Sequence, residues 1–407
     1  MSTVIINHSD SRGGASVVSL RLLEALCAAG HDATMLVAHK AGDNPCVHTA
    51  CCTAMSRLPF LAEHLRIFAG NGFNRADLFK VSIATDGLPL HRHPLVRNAD
   101  TVILNWVNQG MLSLDCIARM AADRKRLIWT MHDMWNLTGI CHHAGTCTGF
   151  TRQQGCSHCP MLHARAGRSD LSARTWRRKR ELYSRAGITF VAVSNWLAEK
   201  CRCSPLMDGC RIEVIPNAFP IDEFHTTPRT VRKEAGLPEG RIVLMGAARL
   251  DDPVKGLPLA VEALNRLDPA SATAVFFGNI RDASVLEKLR MPFVMAGEIS
   301  DRSRLAELYA HADVVLSSSL YETLPGTLVE GQAAGAFPVA FDSGGQSDII
   351  SHRTTGYLAR PYDTADLAAG IAMGLEQPAT AETLRSSAER FRASEIASRY
   401  LRIIDEA

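Results

Sequence analysis

The stretch Val314-Val315-Leu316-Ser317-Ser318-Ser319-Leu320-Tyr321-Glu322-Thr323-Leu324-Pro325-Gly326-Thr327-Leu328-Val329-Glu330-Gly331 reads as a strand, a short polar loop and a helix. Pro325 is expected at the first helical position, where its missing N–H costs nothing. The amides of Gly326, Thr327 and Leu328 are then left without intrahelical acceptors. Unpaired amides and the helix dipole together make a site for an anion such as a diphosphate. Glu322 falls in the loop ahead of the helix. Glu330 falls inside it, roughly 8 Å along the axis from the first turn. Carboxylates on both sides of an anion site suit a ligand with hydroxyls on both sides of its phosphates, and a nucleotide sugar is such a ligand. A glycine within a helix costs about 1 kcal/mol relative to alanine, so Gly331 is expected where a ligand approaches the backbone.

The same alternation of short apolar runs and helical patterns fills the chain. It predicts parallel sheets covered by helices on both faces. In the first half, strands are expected at Val4–Asn7, Thr34–Val37, Val102–Leu104, Leu127–Thr130, Thr189–Val193 and Ile212–Ile215. Helices are expected at Ser16–Ala29, Leu112–Ala122 and Ala173–Arg185. The polar stretch Asp222–Gly240 reads as a link. After it come strands at Ile242–Gly246, Ala274–Phe277, Val314–Leu316 and Phe337–Phe341, with helices at Leu257–Leu267, Arg302–His311, Pro325–Ala334 and Ala365–Leu375. The expected fold is α/β, with two Rossmann-like doubly wound domains facing a central cleft at the carboxyl ends of the strands. The first domain is assigned to 1–220, with a Cys-rich insertion at about 136–165, and the second to 221–390.

Composition supports this plan. A chain of 407 residues exceeds one ordinary core. Hydrophobic residues make up 46% and the formal net charge is +2, which leaves no strong nucleic-acid footprint. No run approaches the roughly 18 apolar residues of a membrane span. The start, Met-Ser-Thr-Val-Ile-Ile-Asn, reads as a first strand and not as a signal peptide, so a cytoplasmic location is expected. Twelve cysteines in a reducing compartment are then thiols or metal ligands more readily than disulfides.

The Glu322–Glu330 spacing resembles the E-x7-E motif of retaining glycosyltransferases of family 4. The resemblance implies the GT-B architecture, with a last helix (within 391–407) crossing back to the first domain. It implies that Glu322 contacts the donor sugar and Glu330 the ribose. Arg249 and Lys255, in Gly-Ala-Ala-Arg-Leu-Asp-Asp-Pro-Val-Lys-Gly, resemble the pair that grips the diphosphate, with one residue more than the commonest spacing. Fixed cations aimed at a departing diphosphate stabilise the charge it gains in the transition state. His132, in Trp129-Thr-Met-His-Asp-Met-Trp135, resembles the histidine that meets the donor sugar. Gly13-Gly14 is a strand–loop–helix turn without G-x-G-x-x-G, and the resemblance places it near the donor phosphates. Gly344-Gly345-Gln346-Ser347-Asp348 resembles a further loop at the cleft, and Gly297-Glu298-Ile299 the segment whose backbone meets the nucleobase. No D-x-D occurs, so no catalytic metal is expected.

Together these imply a retaining hexosyltransferase that takes a UDP- or GDP-sugar donor and a glycan or lipid-linked acceptor. Its attack would be front-side, and the leaving phosphate oxygen would take the acceptor proton.

Cys141, Cys147, Cys156 and Cys159 follow a C-x5-C-x8-C-x2-C spacing with histidines interleaved. They are read as a structural zinc set, since four protein ligands leave no open position. The segment resembles a family 4 subgroup tied to bacterial exopolysaccharide, capsule and O-antigen synthesis. The basic run Arg174–Tyr183 is read as a helix offering peripheral membrane contact. The alternative function is a non-enzymatic zinc-binding interaction or redox-sensing module on an α/β scaffold.

Overall fold

The computed structural model describes residues 1–224, 237–376 and 379–406. Most of the expected link, residues 225–236, lies outside the described residues. The chain divides into two compact units, Met1–Pro216 with Ile396–Ala407, and Asn217–Glu395.

The first unit holds β1 (Ser2–Ser9), α1 (Gly14–Ala28), β2 (Asp32–His39), β3 (Val47–Thr49), α2 (Thr53–Gly70), α3 (Pro94–Asn98), β4 (Thr101–Leu104), α4 (Leu114–Ala122), β5 (Arg126–Met131), α5 (Leu171–Ala186), β6 (Thr189–Ala192), α6 (Asn195–Arg202) and β7 (Arg211–Val214). All seven strands pair in parallel, in the order β3-β2-β1-β4-β5-β6-β7. Val4, Ile5, Ile6, Val102, Ile103 and Leu104 are wholly buried, as expected for strands covered on both faces. Parallel neighbours need crossovers, and these reverse direction between β1 and β4. Such a reversal leaves a crevice at the carboxyl ends of the two strands.

The second unit holds β8 (Ile242–Arg249), α7 (Leu257–Leu264), β9 (Thr273–Asn279), β10 (Phe293–Gly297), α8 (Arg302–His311), β11 (Val314–Ser317), α9 (Gly326–Ala334), β12 (Phe337–Phe341), β13 (Tyr357–Ala359), α10 (Thr364–Glu376) and α11 (Ala381–Ala388). Its six parallel strands run β10-β9-β8-β11-β12-β13, with the reversal between β8 and β11.

The last helix, α12 (Ala393–Asp405), buries Ile396, Ala397, Tyr400, Ile403 and Ile404, a single face at helical spacing. The Tyr400 hydroxyl bonds Thr130 Oγ1 of β5 at 2.8 Å. Among the described residues, no helix is long and apolar enough to cross a membrane.

Several expected details are corrected. Pro325 is the N-cap of α9 and not its first helical residue; Gly326 takes that place. Gly331 turns toward the sheet, where an added Cβ would lie 2.6 Å from Val315 Cγ2. Close packing of α9 on β11 accounts for the glycine, in place of ligand access. The sequence reading omitted β3, β10, β13, α2, α3, α6 and α11.

Candidate functional site

In the second unit, three loops meet at the carboxyl ends of β8, β11 and β12. The first is the turn Pro253–Lys255, which follows β8. Leu320 N donates to Val254 O, and Ser318 Oγ donates to Lys255 O, both at 2.8 Å. Gly256 closes the turn at φ +64°, where a Cβ would sit 2.1 Å from Ser318 O. Only glycine fits both the left-handed conformation and that contact. The loop after β11 is held in turn by the loop after β12: Gly345 N donates to Glu322 O at 2.8 Å.

These backbone ties bring two expected site residues together. Lys255 Nζ donates to Glu322 Oε1 at 2.6 Å, with both side chains partly exposed. Arg249, at the end of β8, reaches Asp252 Oδ2 at 3.2 Å and Asp251 Oδ1 at 3.7 Å. The second distance is too long for a hydrogen bond. Arg249 Nε and Asp251 Oδ1 are both buried without hydrogen-bond partners, and they face each other across that gap.

Beside this pair stands the N-terminus of α9, which carries no side-chain cap. Of the three amides expected to be open, Leu328 N donates to Pro325 O at 3.2 Å. The anion site therefore narrows to Gly326 and Thr327. Glu330 is buried on the same helix at 7% exposure. Ile299 lies beyond the end of β10 and is half-buried.

In the first unit, Gly13 caps α1 at φ +84°, again a left-handed position, and Gly14 begins the helix. The loop after β4 lies beside it: Trp106 N donates to Asn7 Oδ1 at 2.9 Å, and His8 N donates to Trp106 O at 3.0 Å. His132, which follows β5, donates from Nε2 to Asn105 Oδ1 at 2.9 Å, because that oxygen can only accept. Burial lowers the His132 pKa to about 4 despite the opposing Asp133. The imidazole is neutral at pH 7, with Nε2 protonated and Nδ1 an acceptor.

Asp133 is bound more tightly still. Its Oδ2 accepts from His142 Nδ1 at 2.7 Å and from Trp106 Nε1 at 3.1 Å, and its Oδ1 accepts from Trp135 N at 2.8 Å. Burial would raise its pKa, but the His142 charge and hydrogen bond, His143 and the Trp135 amide outweigh burial and hold it at about 2. Asn105 and Trp106 were missed from sequence, and His142 was read only as one of the histidines between the cysteines, not as the partner of Asp133. The available signal for Asn105 and Trp106 was their place at the carboxyl end of a buried strand.

The Cys-rich insertion is corrected. Cys141, Cys147, Cys156 and Cys159 line one cavity of about 20 Å³. Yet among the described residues no group of three or more His, Cys, Asp or Glu is placed to hold a metal ion. Their engagements differ. Cys156 Sγ accepts from Gly139 N and Cys147 Sγ from Gly149 N, while Cys141 and Cys159 sit in an apolar cluster with Ile67, Val81, Ile83, Ile140 and Leu162. Burial pushes Cys156 up to about 11 and Cys159 up to about 12, so without a metal both thiols are protonated.

Protein groups order the segment. Cys159 N donates to Asp170 Oδ2 at 2.9 Å, and the buried Lys179 donates to Trp135 O at 2.5 Å and Thr138 O at 3.1 Å. The non-enzymatic zinc module loses its support with the zinc set. The run Arg174–Tyr183 belongs to α5, whose Trp176, Leu182 and Tyr183 face the core. Its apolar side is therefore unavailable to a membrane.

Residues 12–223, over half of the 407, match the family model described as Glycosyltransferase Family 4. The chain belongs to glycosyltransferase family 4. Residues 229–391 of this family 4 chain match a second model, Glycosyl transferases group 1. It is 31% identical over 176 residues to D-inositol 3-phosphate glycosyltransferase of Nocardia farcinica, covering 40% of this chain and 39% of that one. It is 33% identical over 180 residues to 2-deoxystreptamine glucosyltransferase of Streptomyces kanamyceticus, covering 41% and 46%. It is 30% identical over 122 residues to the putative colanic acid biosynthesis glycosyl transferase WcaC of Escherichia coli, covering 28% and 26%. The match thus spans under half the length of each of these relatives.

Among solved structures, the fold resembles Anabaena Alr3699/HepE in complex with UDP and glucose, at TM-score 0.64 and 17% identity over the whole of both chains. It also resembles a glycosyltransferase from Rickettsia africae, at TM-score 0.68 and 18% identity over 100% of this chain and 98% of that one. The two parallel α/β units are those of the GT-B fold.

Proposed function

We propose that this family 4 chain is a retaining glycosyltransferase. It moves a hexose-type sugar from a nucleoside-diphosphate donor to a glycan or lipid-linked acceptor in bacterial surface-polysaccharide synthesis, acting on the cytoplasmic side. The Lys255–Glu322 pair at 2.6 Å beside the uncapped α9 N-terminus carries the reading. Lys255, Arg249 and the amides of Gly326 and Thr327 supply positive charge where a departing diphosphate gains negative charge, so they favour the transition state over the ground state. Glu322, next to the cation that meets the leaving group, is the carboxylate for the reacting sugar. Glu330 takes the ribose hydroxyls. His132, neutral, accepts from a sugar hydroxyl through Nδ1. Gly13 and Gly14 line the phosphates, and the backbone at Ile299 meets the base.

UDP is the first nucleotide to test, since the Anabaena neighbour was solved with it. Calorimetry on Glu330→Ala tests the nucleoside role directly. At least tenfold weaker UDP or GDP binding is expected, the scale of one lost charge-assisted bond. Unchanged affinity for both would remove Glu330 from the site. Donor hydrolysis screened across common nucleotide sugars then identifies the sugar.

A further inference from the structure

Three basic side chains gather at the carboxyl ends of neighbouring strands in the first unit. His8 is the last residue but one of β1, and His39 ends β2. Ser9 pairs with His39 across the two strands, and the imidazole centroids of His8 and His39 lie 5.1 Å apart. Trp106, just past β4, extends the row on the other side. Its ring lies 5.6 Å from the His8 ring, edge to face, and 5.7 Å from the His142 ring. The order β2-β1-β4 thus sets His39, His8 and Trp106 side by side along the crevice where the crossovers reverse. Arg12 stands exposed in the loop between β1 and α1, next to Gly13.

The electrostatic neighbours of the two imidazoles are cationic. His8 feels His39 and Arg12, and His39 feels Arg12 and Arg57. Burial first, and these charges second, lower His8 to about 4 and lower His39 as well. The carboxylates along the same strand ends are engaged elsewhere. Asp10 accepts from the amides of Ala41 and Gly42 at 2.9 Å each. Asp133 is held by His142, Trp106 and the Trp135 amide. Lys40 is turned to Asn44 O and Val47 O. Among the described residues, no carboxylate pairs with Arg12, His8 or His39.

We propose that this row is an acceptor subsite, and that the acceptor carries an acidic group there, a carboxylate or a phosphate ester. The inference rests on the glycosyltransferase reading above. The donor diphosphate has its cations in the second unit, at Lys255, Arg249 and the start of α9, so a separate set of bases in the first unit serves a separate anion. The Arg12 guanidinium matches either acid with two parallel hydrogen bonds, and each imidazole has an N–H to donate. The half-buried Trp106 ring offers an apolar surface for the sugar that bears the acid. An anion within about 4–6 Å favours the charged form of an imidazole, so binding draws protons onto His8 and His39. A neutral sugar gains none of these interactions.

The test is calorimetry on wild type, Arg12→Gln and His39→Gln with glucuronate, glucose 6-phosphate, glucose and UDP. UDP binding to wild type checks the donor reading by itself, and its absence would fail that reading and not the subsite. At least one acidic sugar is expected to bind wild type roughly tenfold or more tightly than glucose, the scale of one charge-assisted bond. Glucuronate would mark a carboxylate acceptor and glucose 6-phosphate a phosphorylated one. Titrations near pH 6.5 in two buffers of different ionisation enthalpy should show protons taken up. Each variant should bring the acidic sugar down to the level of glucose and leave UDP affinity unchanged, and the exposed Arg12→Gln should leave thermal unfolding unchanged. Equal affinity for glucose and both acidic sugars, acidic-sugar binding that survives both variants, or binding without proton uptake would overturn the proposal. So would UDP affinity that falls together with acidic-sugar affinity, since the donor phosphates would then be the anion.

Discussion

Lys255 and Glu322, 67 positions apart in sequence, are joined by a 2.6 Å charge-assisted hydrogen bond. The backbones that carry them are tied independently, Lys255 O to Ser318 and Glu322 O to Gly345. The pair is thus placed by the strand ends of β8 and β11 and not by its own attraction, which is modest for partly exposed charges.

Lys255→Ala is expected to cut turnover at least tenfold while leaving the fold intact, because it removes one cation from the developing charge. Steady-state kinetics with the identified donor measure this. Near-normal kcat would take Lys255 out of the reaction.

Gly256→Ala forces a Cβ to within 2.1 Å of Ser318 O at φ +64°. Relief of the clash must shift the Lys255 turn, so a loss of about 1–3 kcal/mol is expected. Urea unfolding reports it as a lower midpoint at unchanged slope. An unaltered midpoint would show that the turn relaxes freely.

Stability should fall with acidification before carboxylates titrate. His132 and His8 are both lowered to about 4, His132 by burial, and His8 by burial, then His39 and Arg12. Each ionises near 6.5 when unfolded, so the unfolded chain binds protons that the folded chain refuses. The stability from their neutral state is complete above pH 6.5 and is lost as pH falls toward 4, at most about 3 kcal/mol per site at 1.36 kcal/mol per pKa unit. Asp133, held at about 2, adds a second loss from near 3.8 downward. Thermal melts of wild type and His132→Gln from pH 7.5 to 4 test this. Equal slopes for the two would refute the His132 part.

The purified protein is expected to carry no stoichiometric zinc, and chelator should leave its melting unchanged. Of its twelve cysteines, Cys52 and Cys203 are exposed and should react first with a thiol reagent, while the protonated Cys156 and the buried Cys159 lag. One zinc per chain by elemental analysis would restore the metal reading.

Sequence legibility followed burial. The strands at Ile242–Gly246 and Phe337–Phe341 could be read because strands covered on both faces are runs of apolar residues. Strand β10 was not read, since Phe293 and Met295 are exposed and the run resembles a loop. Helix α2 escaped for a related reason: its apolar residues point outward and its polar ones inward, with Pro59 in its length. Within the candidate site, Lys255 and Glu322 were named individually, but their contact depends on β8 lying next to β11. The ties of Asp133 to Trp106 and His142 depend likewise on tertiary placement. Spacing alone made the four cysteines look like ligands, and spacing is blind to the apolar cluster that takes Cys141 and Cys159.

The uncapped start of α9 has a thermodynamic consequence. Pro325 offers the helix neither a side-chain acceptor nor a donor of its own, so whatever anion settles on Gly326 and Thr327 becomes the missing cap. Ligand occupancy and helix stability are then two readings of one equilibrium. The second unit should melt at a temperature set by how much nucleotide is present, gaining about 2.7 kcal/mol at a hundredfold excess over Kd.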